Sequence, residues 1–443
     1  MKPGFRPFII LWAGIACLAT IRAATAQPLK LSFNQAWELA QRGNTQIQSA
    51  RVNLDKAEAQ IGEAVAAALP SLTASGYYQR NFVIPEMVTE FAGERIKIRF
   101  AQENLMNGAI ELAQPIYAAG RVGLALQIAR LYRQTSQEQM GVTRAEIKLQ
   151  VTQLYFGAVL AQQWEKVSAA TYQQMQDHLK QVEVMQKEGL VSEYDLIRSR
   201  VQVSNFYPQV IASQSARKVA FEALNMILGL PKNQELDLTD HLESYAVASA
   251  PSEDLFSLAV QGRGELRQLD LQERILNKLK TIEEHGVWWP NLALVGGYTV
   301  QAQEPDFDFN NYFWSENLYG GLTLTIPLFD GFKARHRVQQ VSADMKLLDL
   351  QKEQLEKGIN LEIIQAQSKF QQAQKNVKAQ AEGVELAKKG LQIAEVQYGN
   401  GLATQLEVMD AQIALNQAQM NELNARYDLI TARAELQKAM GKE

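Results

Sequence analysis

The sequence predicts an α+β membrane protein in which a few short amphipathic strands are combined with very long helices. Three observations lead to this fold class. The landmark residues of the chain occur twice, in the same order and at nearly constant separation. Short segments alternate between apolar and polar residues, which is the pattern of a half-buried strand. Two stretches of about 65 residues contain no proline and almost no glycine, which favours uninterrupted helices.

The composition excludes several classes of protein. The chain has 443 residues and a formal net charge of −4, and its Lys and Arg residues are not clustered, so no nucleic-acid-binding surface is expected. A single cysteine excludes a disulfide framework, and four scattered histidines give no metal site, so no cofactor is expected. Beyond the N-terminus no apolar run approaches the roughly 18 residues of a membrane-spanning helix, which excludes a helical inner-membrane transporter.

Residues 1–26 have the features of an export signal. Lys2 and Arg6 precede an apolar stretch, and Ala24-Thr25-Ala26 matches the small-x-small pattern of a cleavage site. A short membrane anchor, or lipidation at Cys17 within a poor lipoprotein motif, are the alternatives. The mature protein is therefore expected to work outside the cytoplasm.

The internal repeat divides the mature chain into two similar halves. Pro70 and Pro290 each precede a strand pattern and lie 220 residues apart. Gly189-Leu190-Val191-Ser192 recurs 212 residues later as Gly401-Leu402-Ala403-Thr404. Each half is predicted to contain a helix, two strands and two long helices. The predicted divisions are a first repeat, an inter-repeat segment and a second repeat, at 27–228, 229–265 and 266–443.

Helices are predicted from the absence of helix breakers and strands from alternation. Residues 35–65 form the first helix, which Pro70 ends because proline lacks an N–H and clashes with the preceding turn. The strand patterns lie at 72–79, 104–114, 292–301 and 317–326. The long helices are predicted at 121–184, 192–228, 333–398 and 403–440. At 1.5 Å per residue the two longest reach roughly 100 Å, too long for the interior of a compact domain.

Four short amphipathic strands in an exported protein predict a shared β-barrel. Unpaired strand edges in lipid cost several kcal/mol for each unsatisfied group, and the smallest closed barrels have about eight strands. Several subunits must then contribute strands to one barrel, which predicts an oligomer. Trp288, Trp289 and Trp314 flank the strands, as interfacial aromatic residues do, and Thr323 and Thr325 suit a water-filled lumen. A soluble sandwich with a wet outer face is the alternative.

The order of these landmarks resembles that of the TolC-type outer-membrane factors over nearly the whole mature chain. The twofold repeat, the proline-bounded strands and the turns at 189–192 and 400–404 carry the resemblance. It implies a homotrimer in the outer membrane, with four strands from each subunit in one twelve-stranded barrel. The helices would continue this barrel as an α-helical barrel across the periplasm. It also implies docking onto a periplasmic adaptor protein and an inner-membrane pump.

The resemblance further implies a ring of carboxylates at the periplasmic entrance. Glu407 and Asp410 follow the second turn and lie three residues apart, so they share one helical face. A threefold axis would bring three copies of each together, and like charges at a constriction attract cations. An ordinary solvated helix face is the alternative interpretation.

The two turns between the long helices are the second predicted site. Glycine at each turn can take the positive φ that reverses a helix, and apolar residues follow at a position that should be exposed. The residues are Gly189, Leu190, Val191, Gly401 and Leu402. The resemblance implies that these turns dock the adaptor and form a gate, with gate residues at Asp195 and Tyr398. Ala403 occupies the position of the family's gate arginine, so part of the closing salt-bridge network is expected to be missing.

No catalytic motif stands out, so an enzyme is not expected. Segments 82–97 and 305–313 join strand pairs and should face the outside of the cell. The favoured function is the exit duct of a tripartite efflux or type I secretion system, surrounded by outer-membrane lipid. One alternative is a periplasmic coiled-coil adaptor or structural protein without a pore. The other is a secreted hydrolase, which only the export signal favours.

Overall fold

The computed structural model describes residues 28–99, 101–244, 254–286, 288–308 and 312–442. The predicted export signal over 1–26, with Cys17, lies outside the described residues. The fold consists of a four-stranded antiparallel sheet continued by long paired helices. The long elements follow one another in the same order in both halves of the chain.

The first half begins with a short strand and two helices, continues with two long strands around a hairpin, and ends in two long helices. Its elements are β1 (Leu29–Leu31), α1 (Phe33–Gly43), α2 (Thr45–Ala66), β2 (Ser71–Arg80), β3 (Glu86–Phe91), β4 (Glu94–Arg99), β5 (Asn104–Ala118), α3 (Arg121–Lys187) and α4 (Glu193–Leu228). Helix α3 has 67 residues and measures about 100 Å.

The second half contains the same long elements after a short connection. The elements from the connection onward are β6 (Leu236–Leu238), a 3-10 turn (Leu242–Ser244), α5 (Leu255–Gly262), α6 (Gly264–His285), β7 (Asn291–Glu304), β8 (Ser315–Thr325), α7 (Lys333–Gly399) and α8 (Gln405–Ala439). The four long helices agree with their predicted ranges to within a few residues. None of the helices in the described ranges is both long enough and apolar enough to cross a membrane.

The four predicted strands form one antiparallel sheet in the order β2-β5-β7-β8. One cross-strand row runs through Ala74, Ile110, Tyr298 and Leu318. The register of β5 shifts between Pro115 and Tyr117, where proline has no N–H to give to the ladder. Strands β5 and β7 are central, whereas β2 and β8 are edges that pair on one side only within the described residues.

Two small sheets are additional to the prediction. Strands β1 and β6 pair in parallel with Leu29 opposite Leu236, and three residues each are too few for alternation to show. Strands β3 and β4 form a hairpin that begins in the predicted connection 82–97 and extends two residues beyond it, to Arg99. The hairpin turns at Ala92 and Gly93, whose φ values of 54° and 86° are the two positive values of a tight hairpin turn.

The single helix predicted over 35–65 is wrong in one respect, because it is two helices. Asn44 interrupts it with an extended backbone, ψ 126°. Its side-chain oxygen accepts hydrogen bonds from the N–H groups of Gln46 and Ile47 at 2.9 and 3.2 Å, which caps α2. Its side-chain amide donates to the carbonyl of Ile227 at 3.0 Å. The break is therefore fixed by a contact with the end of α4, which no local spacing reveals.

The largest core cluster lies where α1 and the β1–β6 sheet pack on the middle of α3. Tyr155 and Phe156 are fully buried there. Phe33 covers both rings, with ring centroids 5.8 and 5.5 Å away. The Tyr155 hydroxyl lies 2.8 Å from the carbonyl of Leu31 and 2.8 Å from the carboxylate of Asp240. This core fixes the midpoint of the long helices, far from both the sheet and the turns at their other end.

Candidate functional sites: the tip turns and the two-faced sheet

The helical hairpins α3–α4 and α7–α8 end in turns of the same construction, here called the first tip and the second tip. Gly189 and Gly401 both have a φ of 71°, a left-handed backbone that glycine adopts without strain. The N–H of the following leucine, Leu190 or Leu402, donates to the carbonyl five residues earlier at 2.8 Å in both tips. These bonds satisfy the last carbonyls of α3 and α7 in a Schellman arrangement.

The predicted docking residues lie at the surface of these tips. Leu190 and Leu402 are 71% and 79% exposed, and Val191 is half-buried. Two exposed leucines held on rigid turns present apolar surface that the subunit itself does not cover. The structure thus agrees with the exposure that was predicted, and contact with an adaptor stays a prediction.

The helices that follow the tips begin with related but unequal caps. At the first tip the N–H of Asp195 donates to Ser192 Oγ at 3.2 Å, and the N–H of Ser192 donates to the Asp195 carboxylate at 3.2 Å. At the second tip the N–H of Thr404 donates to the Glu407 carboxylate at 3.1 Å. There the N–H of Glu407 donates to the Thr404 carbonyl, also at 3.1 Å. Two of the predicted gate carboxylates therefore also start the helices on which they lie.

Side chains of α3 and α7 connect the two hairpins next to the tips. The rings of His178 and Tyr398 are in contact, with centroids 5.5 Å apart. One helical turn further from the tips, the Gln174 amide donates to the Glu395 carboxylate at 3.1 Å. Of these residues only Tyr398 was predicted. His178, Gln174 and Glu395 were not predicted, because no local sequence pattern marks them. Gln174 and Glu395, for example, are 221 residues apart in the chain.

Burial shifts the pKa values of both side chains in this contact. Burial raises the pKa of Tyr398, and the nearby carboxylate of Asp195 raises it further. Burial lowers the pKa of His178, and Glu395 opposes that shift. Within the part of the chain that the structure describes, the Tyr398 hydroxyl and His178 Nε2 have no hydrogen-bond partner. The packing of the two rings therefore favours a neutral His178.

A cleft of about 720 Å³ lies between the two tips. Asp195 and Tyr398 both line it, so the structure brings these two predicted gate residues together. Ala403 lines it as well and contributes no charge. On the α4–α8 side, the buried amide of Gln405 donates to the hydroxyl of Ser199, a connection between the two halves that sequence reasoning also missed.

Glu407 and Asp410 lie apart from this cleft. Both are exposed, and their spacing puts them one turn apart on one face of α8. The predicted gate residues thus fall into two groups: Asp195 and Tyr398, which line the cleft, and the exposed carboxylates Glu407 and Asp410. Over the ranges that the structure describes, no group of three or more His, Cys, Asp or Glu residues could hold a metal ion.

The register of the four-stranded sheet collects most of its large apolar side chains on one face. That face carries Leu72, Ala74, Tyr78, Met106, Ile110, Leu112, Leu292, Leu294, Tyr298, Val300, Leu318, Leu322 and Leu324. The opposite face is mainly polar, with Thr73, Ser75, Gln79, Asn107, Glu111, Thr299, Gln301, Asn317, Thr323 and Thr325. It also carries Tyr77, Leu105, Val295 and Tyr319, and Glu316 lies on the apolar face near its end. In the single subunit the apolar face is open, with Leu318 79% and Leu322 66% exposed.

Aromatic side chains lie at both ends of this sheet. Trp289 precedes β7 at one end, where it stacks on His285 with ring centroids 4.8 Å apart. Trp314 precedes the antiparallel β8 at the other end and is partly exposed. Tryptophan at both ends of an apolar band marks the two interfaces of a membrane.

A two-faced sheet between aromatic residues, continued by helices of about 100 Å, defines an outer-membrane channel with a long periplasmic extension. The chain belongs to a family described as "Outer membrane efflux protein", whose sequence model matches residues 36–230 and 259–442. The predicted family, the outer-membrane location and the role as an exit duct are thereby confirmed. The family consists of transport channels and not of enzymes, and the match favours the duct over the adaptor and the hydrolase.

Individual relatives agree with this assignment. The chain is 22% identical over 428 residues to the outer membrane protein TolC of Vibrio cholerae serotype O1, covering 96% of this chain and 93% of the relative. It is 26% identical over 340 residues to the solvent efflux pump outer membrane protein SrpC of Pseudomonas putida, covering 73% and 68%.

Solved structures show the same fold. CusC superposes with a TM-score of 0.73 at 17% identity, covering 93% of this chain and 92% of that chain. The outer membrane channel CmeC of Campylobacter jejuni superposes with a TM-score of 0.70 at 17% identity, covering 92% and 85%. The predicted fold class is confirmed: it is that of trimeric channels in which an α-helical barrel continues a β-barrel.

Proposed function

We propose that three copies of this chain close one twelve-stranded barrel in the outer membrane and pass substrates from an inner-membrane pump out of the cell. The observation that carries the proposal is the sheet, with its apolar face, its polar face and its two edges β2 and β8. Edges left unpaired in lipid cost several kcal/mol for each group. Pairing β8 of one subunit with β2 of the next removes both edges and turns the polar face into a lumen.

The dimensions of the strands support this arrangement. The edge strands β2 and β8 have 10 and 11 residues, which is the length that a tilted strand needs to cross a bilayer, about 9–11 residues. Lipid on the apolar face and water on the polar face then satisfy both surfaces.

The long helix α7 supports the oligomer independently of the strands. Leu347, Leu350, Leu361 and Ile364 are each more than half exposed in the single subunit. Their spacing of three residues within each pair and 14 residues between pairs is two heptads, the spacing of a coiled-coil seam. A neighbouring subunit on this seam would bury it and extend the barrel as a helical tunnel.

The tips support partners at the opposite end of that tunnel. Exposed Leu190 and Leu402 are offered to an adaptor protein, which would link the duct to its pump. Asp195 and Tyr398 line the cleft between the tips, and the packing of Tyr398 on His178 holds the tips closed. Glu407 and Asp410 form the carboxylate ring around the threefold axis, which makes the entrance prefer cations.

Neighbouring residues on opposite faces of β8 test the barrel. Leu322→Lys puts a charge on the apolar face, which costs about 2–4 kcal/mol at the bilayer midplane. Thr323→Lys puts the same charge on the polar face. We expect Leu322→Lys to abolish recovery of trimer from outer membranes, whereas Thr323→Lys assembles and changes the single-channel conductance in planar bilayers. Equal tolerance of both changes, or purification as a monomer without detergent, contradicts the proposal.

A second experiment tests the ring. Glu407→Gln with Asp410→Asn removes the carboxylates, and glutamine preserves the capping bond to Thr404. We expect a several-fold loss of cation preference in reversal-potential measurements. The matched control is Glu382→Gln with Glu385→Gln, an exposed pair with the same spacing on α7, for which no change is expected. Unchanged selectivity in the first variant refutes the ring while leaving the barrel untouched.

A further inference from the structure

A pocket of about 390 Å³ lies between the first and second halves of the chain, far from the sheet. Its wall residue Lys148 follows the start of α3 by 27 residues, which is about 40 Å of helix. Outer-membrane lipid therefore does not reach the pocket, and the tips lie further along α3. A cavity of this size is in the range of about 300–1,000 Å³ that small-molecule sites occupy.

The floor of the pocket is apolar and is contributed by both halves. Phe33 of α1 and Phe156 of α3 contact each other with ring centroids 5.5 Å apart. Phe370 of α7 and Leu429 of α8 complete this floor from the second half. Phe156 and Phe370 are almost fully buried, so the floor is rigid and preformed.

The remaining wall carries an excess of positive charge. Lys148 lies on α3, whereas Arg433, Lys438 and Lys442 come from α8 and the residues that follow it. Among the described residues that line the pocket there is no Asp or Glu. Lys148 lies over the ring of Trp37 at 6.0 Å, and the other three cations have no carboxylate beside them in the described lining. This excess of like charge at an apolar cavity favours an anion there.

A second basic cleft shows that charge alone does not make such a pocket. Arg130, Arg274 and Lys278 line a cleft between α3 and α6. Among the described residues that line this cleft, Leu131 is the single apolar one and none has an aromatic ring. Of these two sites, the pocket between the halves is the one that combines cations with an aromatic floor.

We infer that the pocket between the halves binds an amphiphilic anion, a molecule with one apolar body and one carboxylate or sulfonate head. The apolar body would lie on the rings of Phe33 and Phe156, and the head would pair with Arg433 and Lys438. Because Lys148 and Phe33 belong to the first half and Arg433 to the second, a bound anion connects the two halves at the midpoint of the helices. Binding should then stabilise the folded subunit, as any ligand of the native state does.

The test uses the trimer in lipid nanodiscs and the fluorescent probe 1-anilinonaphthalene-8-sulfonate, with empty nanodiscs as background. We expect saturable binding at one site per subunit and a rise of the thermal unfolding midpoint. Arg433→Gln with Lys438→Gln is expected to weaken binding at least tenfold. The matched control, Arg130→Gln with Lys278→Gln, removes the same charge from the cleft without a floor and is expected to bind like the wild type.

Two further measurements separate the contribution of the apolar rings of the probe to binding from that of its charge. N-phenyl-1-naphthylamine has the same rings without the sulfonate, and its binding is expected to be equal in the wild type and in Arg433→Gln with Lys438→Gln. Ala434→Leu fills the pocket while keeping every charge, and it is expected to abolish saturable binding of the sulfonate. No saturable binding above empty nanodiscs, or an equal loss in the control pair, overturns the inference. Binding that survives Ala434→Leu overturns it as well.

Discussion

The first and second tips share the same turn, with Gly and Leu at corresponding positions, but they have different surroundings. Residues of the two tips correspond at a separation of 212, so Asp195 corresponds to Glu407. Asp195 is half-buried in the cleft beside Tyr398, whereas Glu407 is exposed outside it. The same turn is therefore built twice, and the packing of the bundle decides whether its carboxylate is half-buried or exposed.

The correspondence continues one turn further along each helix, where the charge is reversed. Arg198 of α4 corresponds to Asp410 of α8. At these two positions the first tip has a carboxylate followed by a cation, and the second tip has two carboxylates. The carboxylate ring proposed above therefore depends on the second tip, because Arg198 stands at the matching position of the first.

Replacing Asp410 by arginine, the residue at the corresponding position of the first tip, should have the largest effect on ion selectivity. Asp410→Arg gives the second tip the charge pattern of the first, and three copies around the axis would replace a negative constriction with a positive one. We expect the preference for cations to be lost or inverted in planar-bilayer reversal potentials. Glu385→Arg, an exposed change of the same kind on α7, is the control and should leave the preference for cations in place. A preference that is unchanged in Asp410→Arg would show that α8 does not face the axis at this point.

The contact between the tips gives the next largest effect. Tyr398→Ala removes the ring that packs on His178, a loss on the order of 2 kcal/mol for a partly buried aromatic side chain. We expect the closed tips to loosen and the single-channel conductance to rise several-fold.

Tyr398→Phe is the matched control for this contact. It keeps the ring and removes a hydroxyl that has no partner within the described residues. The conductance of Tyr398→Phe should therefore stay close to that of the wild type. A large rise in this variant would mean that the hydroxyl, and not the ring, holds the tips.

The unequal caps predict a smaller difference between the tips. Ser192→Ala removes a side-chain bond to the N–H of Asp195, which typically costs about 1 kcal/mol at the start of a helix. Thr404→Ala should cost less, because the N–H of Glu407 donates to a backbone carbonyl there. Amide hydrogen exchange over the first turns of α4 and α8 measures both losses. Equal losses, or a larger loss in Thr404→Ala, would contradict the distinction between the two caps.

Acidification should give the smallest effect, confined to the contact between α3 and α7. Burial lowers the pKa of His178 below its ordinary value of 6.5, so the unfolded chain takes up the proton first as the pH falls. The contribution of His178 to the stability of the folded protein is therefore fully present above pH 6.5. It declines as the pH falls from 6.5 to the lowered pKa of the folded state. The groups that face His178 are Tyr398 and Glu395, and Glu395 reduces the effect.

Hydrogen exchange near His178 at pH 7.5 and 5.5 measures this decline. We expect exchange, corrected for its intrinsic pH dependence, to report a weaker contact at the lower pH. His178→Phe keeps a ring in the contact and removes the titration, so the difference should disappear in that variant. A decline of the same size in His178→Phe would assign the effect to another group.

Much of this architecture follows from the sequence alone. Proline and glycine punctuation located α3, α4, α7 and α8, because long helices require only the absence of breakers over many residues. Alternation located β2, β5, β7 and β8, since a strand with one face in lipid and one in water must alternate. Exposed leucines after Gly189 and Gly401 followed from the turn itself.

Tertiary structure decided what depends on partners far apart in the chain. The break at Asn44, the parallel pair β1–β6 and the contact of Gln174 with Glu395 each join segments separated by about 180 residues or more, and no local pattern specifies them. The same holds for the difference between Asp195 and Glu407. Their local turns are alike, and only the packing of one hairpin against the other buries the first carboxylate and leaves the second in solvent.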